Sequence, residues 1–218
     1  MMKYFTIILL FFMPLFGKCR QKATKKHTSK AFSLNEKAFF LLITNGSKEG
    51  LNTRELSIKV IKILDSATYL EPGYTSAYLN KLTSLIYLKK YQEAIKNIDQ
   101  AIKSNPSDHS NYLKKGIIYR DYLLDRSKAS VAFNKALMIA GEKAKRAKYS
   151  ALGNDINVAF IIAFAKNKNS ALAYLDKILI HYQNIKDVNQ ISNFKKLLMN
   201  NPLDKKAALQ MFSNYSTL

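Results

Sequence analysis

One thiol, three imidazoles and fifteen carboxylates are among the side chains of this 218-residue chain with nucleophilic, acid–base or metal-ligating chemistry. Their spacing builds no local catalytic motif. His27, His109 and His181 lie far apart in the sequence. No HExxH sets two imidazoles on one helix face, and no GxxxxGK[ST] or GxGxxG cradles a phosphate. Cys19 is alone, which excludes a disulfide framework and a cysteine zinc cluster, since each needs several thiols. The expectation is therefore a protein that is not an enzyme, with no cofactor and no metal. Three acids are regular rather than clustered. Asp65, Asp99 and Asp176 fall in the matching contexts Leu64-Asp65-Ser66-Ala67, Ile98-Asp99-Gln100-Ala101 and Leu175-Asp176-Lys177-Ile178. Such recurrence predicts a shared structural or surface role. His109 is expected at the start of a helix and His181 near the end of one, both as packing or surface groups.

The elements that hold these residues are read from composition and period. A chain with 48% apolar residues, seven Gly, four Pro and 23% charged residues is ordinary globular material of one domain's size. Its net charge of +20 comes from thirty Lys and five Arg against the fifteen acids. Arg is the better bidentate phosphate ligand, so a Lys excess is a weak nucleic-acid signature, and no nucleic-acid partner is expected. Acidic protein segments and anionic lipid fit the charge better.

The amino terminus reads as an address. Lys3 is followed by the nearly uninterrupted apolar run Tyr4 to Phe16, which Gly17-Lys18-Cys19 ends, the tripartite form of a secretory signal over residues 1–18. As a helix the run reaches about 20 Å, short of a hydrocarbon core of about 30 Å. Residues 19–32 form a basic tether, and from Lys18 to Lys30 there are six cations and no acid. Leu15-Phe16-Gly17-Lys18-Cys19 resembles the lipobox of bacterial lipoproteins, although Lys18 stands where that family has a small residue. The resemblance implies a lipidated Cys19 and a protein held by its lipid on a membrane of the bacterial envelope, facing the periplasm. Soluble secretion and an uncleaved amino-terminal anchor are the alternatives.

A period of 34 residues then organises the chain. Val60, Leu64, Ala67 and Pro72 recur as Ala94, Ile98, Ala101 and Pro106. A third copy follows one residue late at Ala129, Phe133, Ala136 and Gly141, and a fourth at Ala171, Leu175 and Ile178. Positions i, i+4 and i+7 share one helix face. In the third copy Tyr112, Gly116 and Tyr119 mark a preceding helix, and Gly116 with Ala129 is small enough for two antiparallel helices to approach closely. The first copy is predicted to begin at the capping box Ser33-x-x-Glu36 and to need a longer connection from Asn45 to Thr53. The fourth is predicted to open with a helix over 155–166, followed by the polar turn Asn167-Lys168-Asn169. Between the third and fourth copies the interval lengthens by eight residues, Gly141 to Lys148, helix-favouring and basic, which predicts a helix extended beyond the stack. Val188, Ile191, Phe194 and Leu198 predict a terminal helix that stops at Asn201-Pro202, with a short helix containing Leu209 and Phe212 after it.

These residues resemble the tetratricopeptide repeat (TPR) family over about residues 33–184, divided as 33–72, 73–106, 107–141 and 142–184, with capping helices over 185–218. The resemblance implies an all-α, right-handed superhelical solenoid of antiparallel helix pairs, about four repeats plus the caps. It also implies a non-catalytic scaffold that binds peptide or protein partners in a concave groove. Carried onto this sequence, the inner-face positions place Asn80, Thr83, Tyr87, Lys114 and Arg120 in that groove. Asn80 and Lys114 match two positions of a carboxylate-binding subfamily, but Asn45 and Glu49 stand where that subfamily has Lys and Asn, so its clamp is not assigned. The alternative reading is a binder of anionic polymer or lipid surfaces through the Lys-rich face.

Overall fold

The computed structural model describes residues 29–44, 53–146, 151–182 and 184–204. Cys19 and the rest of the leader and tether before residue 29, the connection 45–52, and the segment with Leu209 and Phe212 lie outside the described residues. Every regular element among the described residues is a helix: α1 (Ser29–Ile43), α2 (Thr53–Leu70), α3 (Thr75–Asn80), α4 (Leu82–Tyr87), α5 (Tyr91–Ser104), α6 (His109–Asp121), α7 (Arg126–Arg146), α8 (Ala151–Ala165), α9 (Lys168–Leu179) and α10 (Ile185–Asn200).

Each helix packs on its chain neighbours, so the molecule is a stack of helix pairs: α1 with α2, α3 and α4 with α5, α6 with α7, α8 with α9, and α10 on the end. The period sets the contacts. All twelve of the small and bulky positions named for the four second helices, from Val60 to Ile178, are buried. At Gly116 the helices come so close that an added Cβ would lie 2.5 Å from Cδ1 and Cε1 of Phe133. Glycine is required there by the aromatic ring on the partner helix, not by backbone conformation.

Side-chain caps mark the start of several helices, although α3, α4 and α5 begin without one. Asp108 accepts a bond from the Ser110 backbone N–H at 2.9 Å to open α6, Asn167 accepts from Ser170 at 2.8 Å to open α9, and Asn184 accepts from Lys186 at 2.8 Å to open α10. The turns that close the first helices of the second and third pairs each use a residue in the left-handed region, Lys89 at φ 58° and Leu124 at φ 55°. Behind them the Lys90 N–H reaches the Leu85 carbonyl at 2.8 Å and the Asp125 N–H reaches the Tyr119 carbonyl at 2.9 Å, which satisfies carbonyls that a helix end leaves open.

Several boundaries differ from the sequence expectations. Ser29 is already helical, so Ser33 lies inside α1 instead of capping it. Ala31 is buried in the first core, and that contact favours a helix one turn longer. The fourth copy's first helix starts at Ala151 rather than Asp155, because Leu152 also finds a buried place. Asn167 caps α9, so Lys168 and Asn169 belong to the helix and not to a polar turn. The first helix of the second pair is interrupted at Lys81, whose side chain reaches back to α2. The eight-residue surplus extends α7 to Arg146, as expected, with residues 147–150 outside the described residues. Apolar residues run around most of α8, because it touches α6, α7, α9 and α10 at once.

Candidate functional site

The positions assigned to the groove lie on the first helices of the second and third pairs, and packing treats them unequally. Asn80 on α3 is buried, and its Nδ2 donates to Asn35 Oδ1 of α1 at 2.9 Å, a tie between two repeats. Thr83 is half-buried, and its Oγ1 has no hydrogen-bond partner among the described residues. Tyr87 is 50% exposed. Lys114 is buried on α6, with no hydrogen bond or ion pair among the described residues. Burial pushes its pKa below that of an ordinary lysine, while the Asp108 charge opposes that shift. Beside it on the helix, Asn111 is fully buried, and neither amide atom has a hydrogen-bond partner among the described residues.

Arg120 is the most constrained of the five. Its Nε and Nη2 donate to the two carboxylate oxygens of Asp121 at 2.7 and 2.9 Å, and Nη1 donates to the Phe164 carbonyl of α8. The guanidinium also lies over the Phe133 and Phe164 rings, 5.7 and 5.6 Å from their centroids. One side chain thus joins α6, α7 and α8. The structure places Asn80 and Arg120 in contacts between repeats, leaves Tyr87 half-exposed, and buries Lys114.

The recurring acids receive a clear role. Asp65 Oδ1 on α2 accepts from Lys81 Nζ at 2.7 Å, Asp99 Oδ1 on α5 accepts from Lys115 Nζ at 2.6 Å, and Asp176 on α9 accepts from Lys195 of α10. In every case a second helix is tied to the next first helix, or to the end helix. Lys81 and Lys115 are themselves 34 residues apart, a signal present in the sequence but lost among thirty lysines. The third junction is tied differently, by Arg120 at its α8 end and by Asn154 Nδ2 to the Lys143 carbonyl at 3.4 Å. Within the fourth pair the Tyr174 and Tyr182 hydroxyls both donate to Asp155, at 2.6 and 2.7 Å. Burial raises both phenol pKa values, and the Asp155 charge adds to it.

Of the histidines, His109 begins α6 and is mostly buried, its Nδ1 without a partner among the described residues. Burial lowers its pKa, the Asp108 charge opposes, and the Lys143 and Lys114 charges add to the lowering. His181 is exposed just after α9, and His27 lies outside the described residues. Among the described residues no group of three His, Cys, Asp or Glu side chains is placed to hold a metal ion, and no helix is long and apolar enough to cross a membrane.

Fold and ties together define an all-α, TPR-like solenoid of helix pairs. No family model matches the chain, and no curated protein matches it. Among solved structures it is similar to the crystal structure of MamA, at 15% identity and a TM-score of 0.45, over 78% of this chain and 81% of that one. It is also similar to the MamA RS-1 ArsTM double mutant, at 14% identity and a TM-score of 0.39, over 80% of this chain and 99% of that one. Likenesses this distant carry no functional weight, and the architecture rests on the helix pairing itself.

Proposed function

We propose that this protein is a non-catalytic adaptor of the bacterial envelope. In this reading it is exported by its amino-terminal signal, held on a membrane through a lipidated Cys19, and binds peptide or protein partners along the first-helix face of its repeats. The observation that carries the scaffold reading is the set of ties between successive repeats, Lys81 to Asp65, Lys115 to Asp99 and Lys195 to Asp176. The three periodic acids are committed to joining one helix pair to the next, and the product is an extended stack of helix faces. Tyr87, half-exposed, is the assigned groove residue most accessible to a partner; Thr83 and Arg120 are part-buried, and the Thr83 hydroxyl is covered. The export reading is supported by the leader, the basic tether and the lipobox-like residues.

The test uses the full chain and its Cys19→Ala variant in a Gram-negative host. Membrane fractionation and the mass of the mature amino terminus read the anchor, and pull-down from detergent extract reads the partners. An acylated Cys19, with envelope proteins captured by the wild type and lost with Tyr87→Ala, is the expected result. An intact leader on a cytoplasmic chain overturns the export reading, and unchanged capture by Tyr87→Ala overturns the placement of the partner face.

A further inference from the structure

The cationic charge of the stack is not spread evenly over its second helices. α5 carries two cations and two acids, whereas α7 carries six cations, Arg126, Lys128, Lys135, Lys143, Lys145 and Arg146, against the single acid Glu142. α7 is also longer, 21 residues to the 14 of α5, and the added turns carry its axis about 10 Å further. The added turns border an open cleft. Lys135, Met138, Ile139, Glu142, Lys143 and Arg146, at i, i+3, i+4, i+7, i+8 and i+11, line a cleft of about 300 Å³ together with the Pro106-Ser107 turn before α6.

The lining has two parts. Ile139 is buried, Met138 is 46% exposed, and with Pro106 they give the cleft an apolar floor. Lys135, Lys143 and Arg146 are exposed cations around it, and Glu142 meets Arg146 at 3.6 Å without balancing the other two. A helix C-terminus attracts basic residues through its dipole, which accounts for Lys145 as well as for Lys143 and Arg146. The dipole does not account for Lys135, three turns earlier on the same face, nor for an exposed methionine between the cations.

From this placement we infer that the cleft between the extended α7 and the Pro106 turn docks an acidic segment of a partner protein, carboxylates on Lys135, Lys143 and Arg146 and one bulky apolar side chain on Met138 and Ile139. A phosphodiester or lipid headgroup would use the rim and have no use for the floor. An acidic peptide uses both. The site is separate from the first-helix face and rests on the scaffold reading only in taking a protein as its partner.

The probe is a short fluorescein-labelled peptide of Glu residues around a central Leu, titrated against the full chain by fluorescence anisotropy at two salt concentrations, with a Leu→Ser version beside it. The expected result is saturable binding that weakens about tenfold with Lys143→Glu/Arg146→Glu and changes by less than about twofold with the control Lys96→Glu/Lys177→Glu at exposed sites on α5 and α9. Met138→Ser is expected to weaken the Leu peptide and leave the Ser peptide unchanged. Equal loss in the control double variant, equal binding of both peptides, or tighter binding of a DNA fragment or anionic vesicles with the same losses each overturns the inference. Circular dichroism confirms the fold of the variants, whose changed side chains are exposed. The scaffold reading is tested apart from this one: if Tyr87→Ala loses its partners while the Leu peptide fails to bind, the adaptor stands and the cleft assignment falls.

Discussion

Gly116 and Lys114, two residues apart on α6, show how much one side chain decides in this stack. An alanine methyl at 116 would enter the Phe133 ring, which is itself buried in the core. Gly116→Ala is expected to cost about 1–3 kcal/mol by overpacking, measured by urea denaturation, and Phe133→Leu in the same chain should recover part of it. Lys114 has the opposite sign. A buried ammonium with no ion pair among the described residues is a cost to folding, so Lys114→Met is expected to raise stability by about 1–3 kcal/mol. The folded-state pKa lies below 10.5, so the unfolded chain holds this proton more firmly and the wild type gains stability as pH rises from the folded value toward 10.5. The advantage of the methionine variant should therefore be largest at neutral pH and shrink in alkali. A variant that is less stable than wild type at pH 7 would show that Lys114 has a partner in solution.

At the scale of the element, the ties and the turns carry the argument. The Lys81 side chain is 6% exposed and that of Lys115 is 24% exposed, while both acids are open to water. Losing the acid charge leaves a buried cation with only the Thr68 hydroxyl at 3.1 Å as a full-strength partner in the first case, and a partly solvated one in the second. Asp65→Asn is expected to cost about 1–3 kcal/mol and Asp99→Asn under about 1 kcal/mol, and equal losses in thermal or urea melts would contradict the burial argument. At the turn into α7, Leu124 sits at φ 55° and is exposed, so Leu124→Gly removes strain with little lost burial and should gain about 0.5–1 kcal/mol. The second helices were legible in the sequence because small and bulky residues at i, i+4 and i+7 report one packed face, and the regular Asp65, Asp99 and Asp176 were legible as structural. Their lysine partners were not, since which of thirty lysines is drawn in depends on where the next helix lands. The groove positions were legible only by analogy. Asn80 turned to Asn35, 45 residues away, and Arg120 to the Phe164 carbonyl, 44 residues away, contacts that no local spacing encodes.

At the scale of the whole molecule, the core among the described residues is a chain of three clusters rather than one centre. The first joins α1 and α2 to Tyr74 and Ala77, the second runs from Leu79 through Phe164, and the third gathers α8, α9 and α10 around Leu175 and Ile191. Phe160 and Ile162 of α8 and Tyr174 of α9 pack on both the second and third, so this pair carries the continuity between them. In such an array each pair is stabilised by its neighbours alone, and a loss at one end is felt mainly there. Ile191 is fully buried where α10 closes the last pair, and Ile191→Ala removes that contact at a cost of about 2–4 kcal/mol. Hydrogen exchange followed by mass spectrometry should then show amide protection falling in α8, α9 and α10 while α1 and α2 keep theirs. Equal loss along the whole chain would mean that the stack unfolds as one unit, and the ties from Lys81, Lys115 and Lys195 would then be transmitting stability across every junction rather than locally.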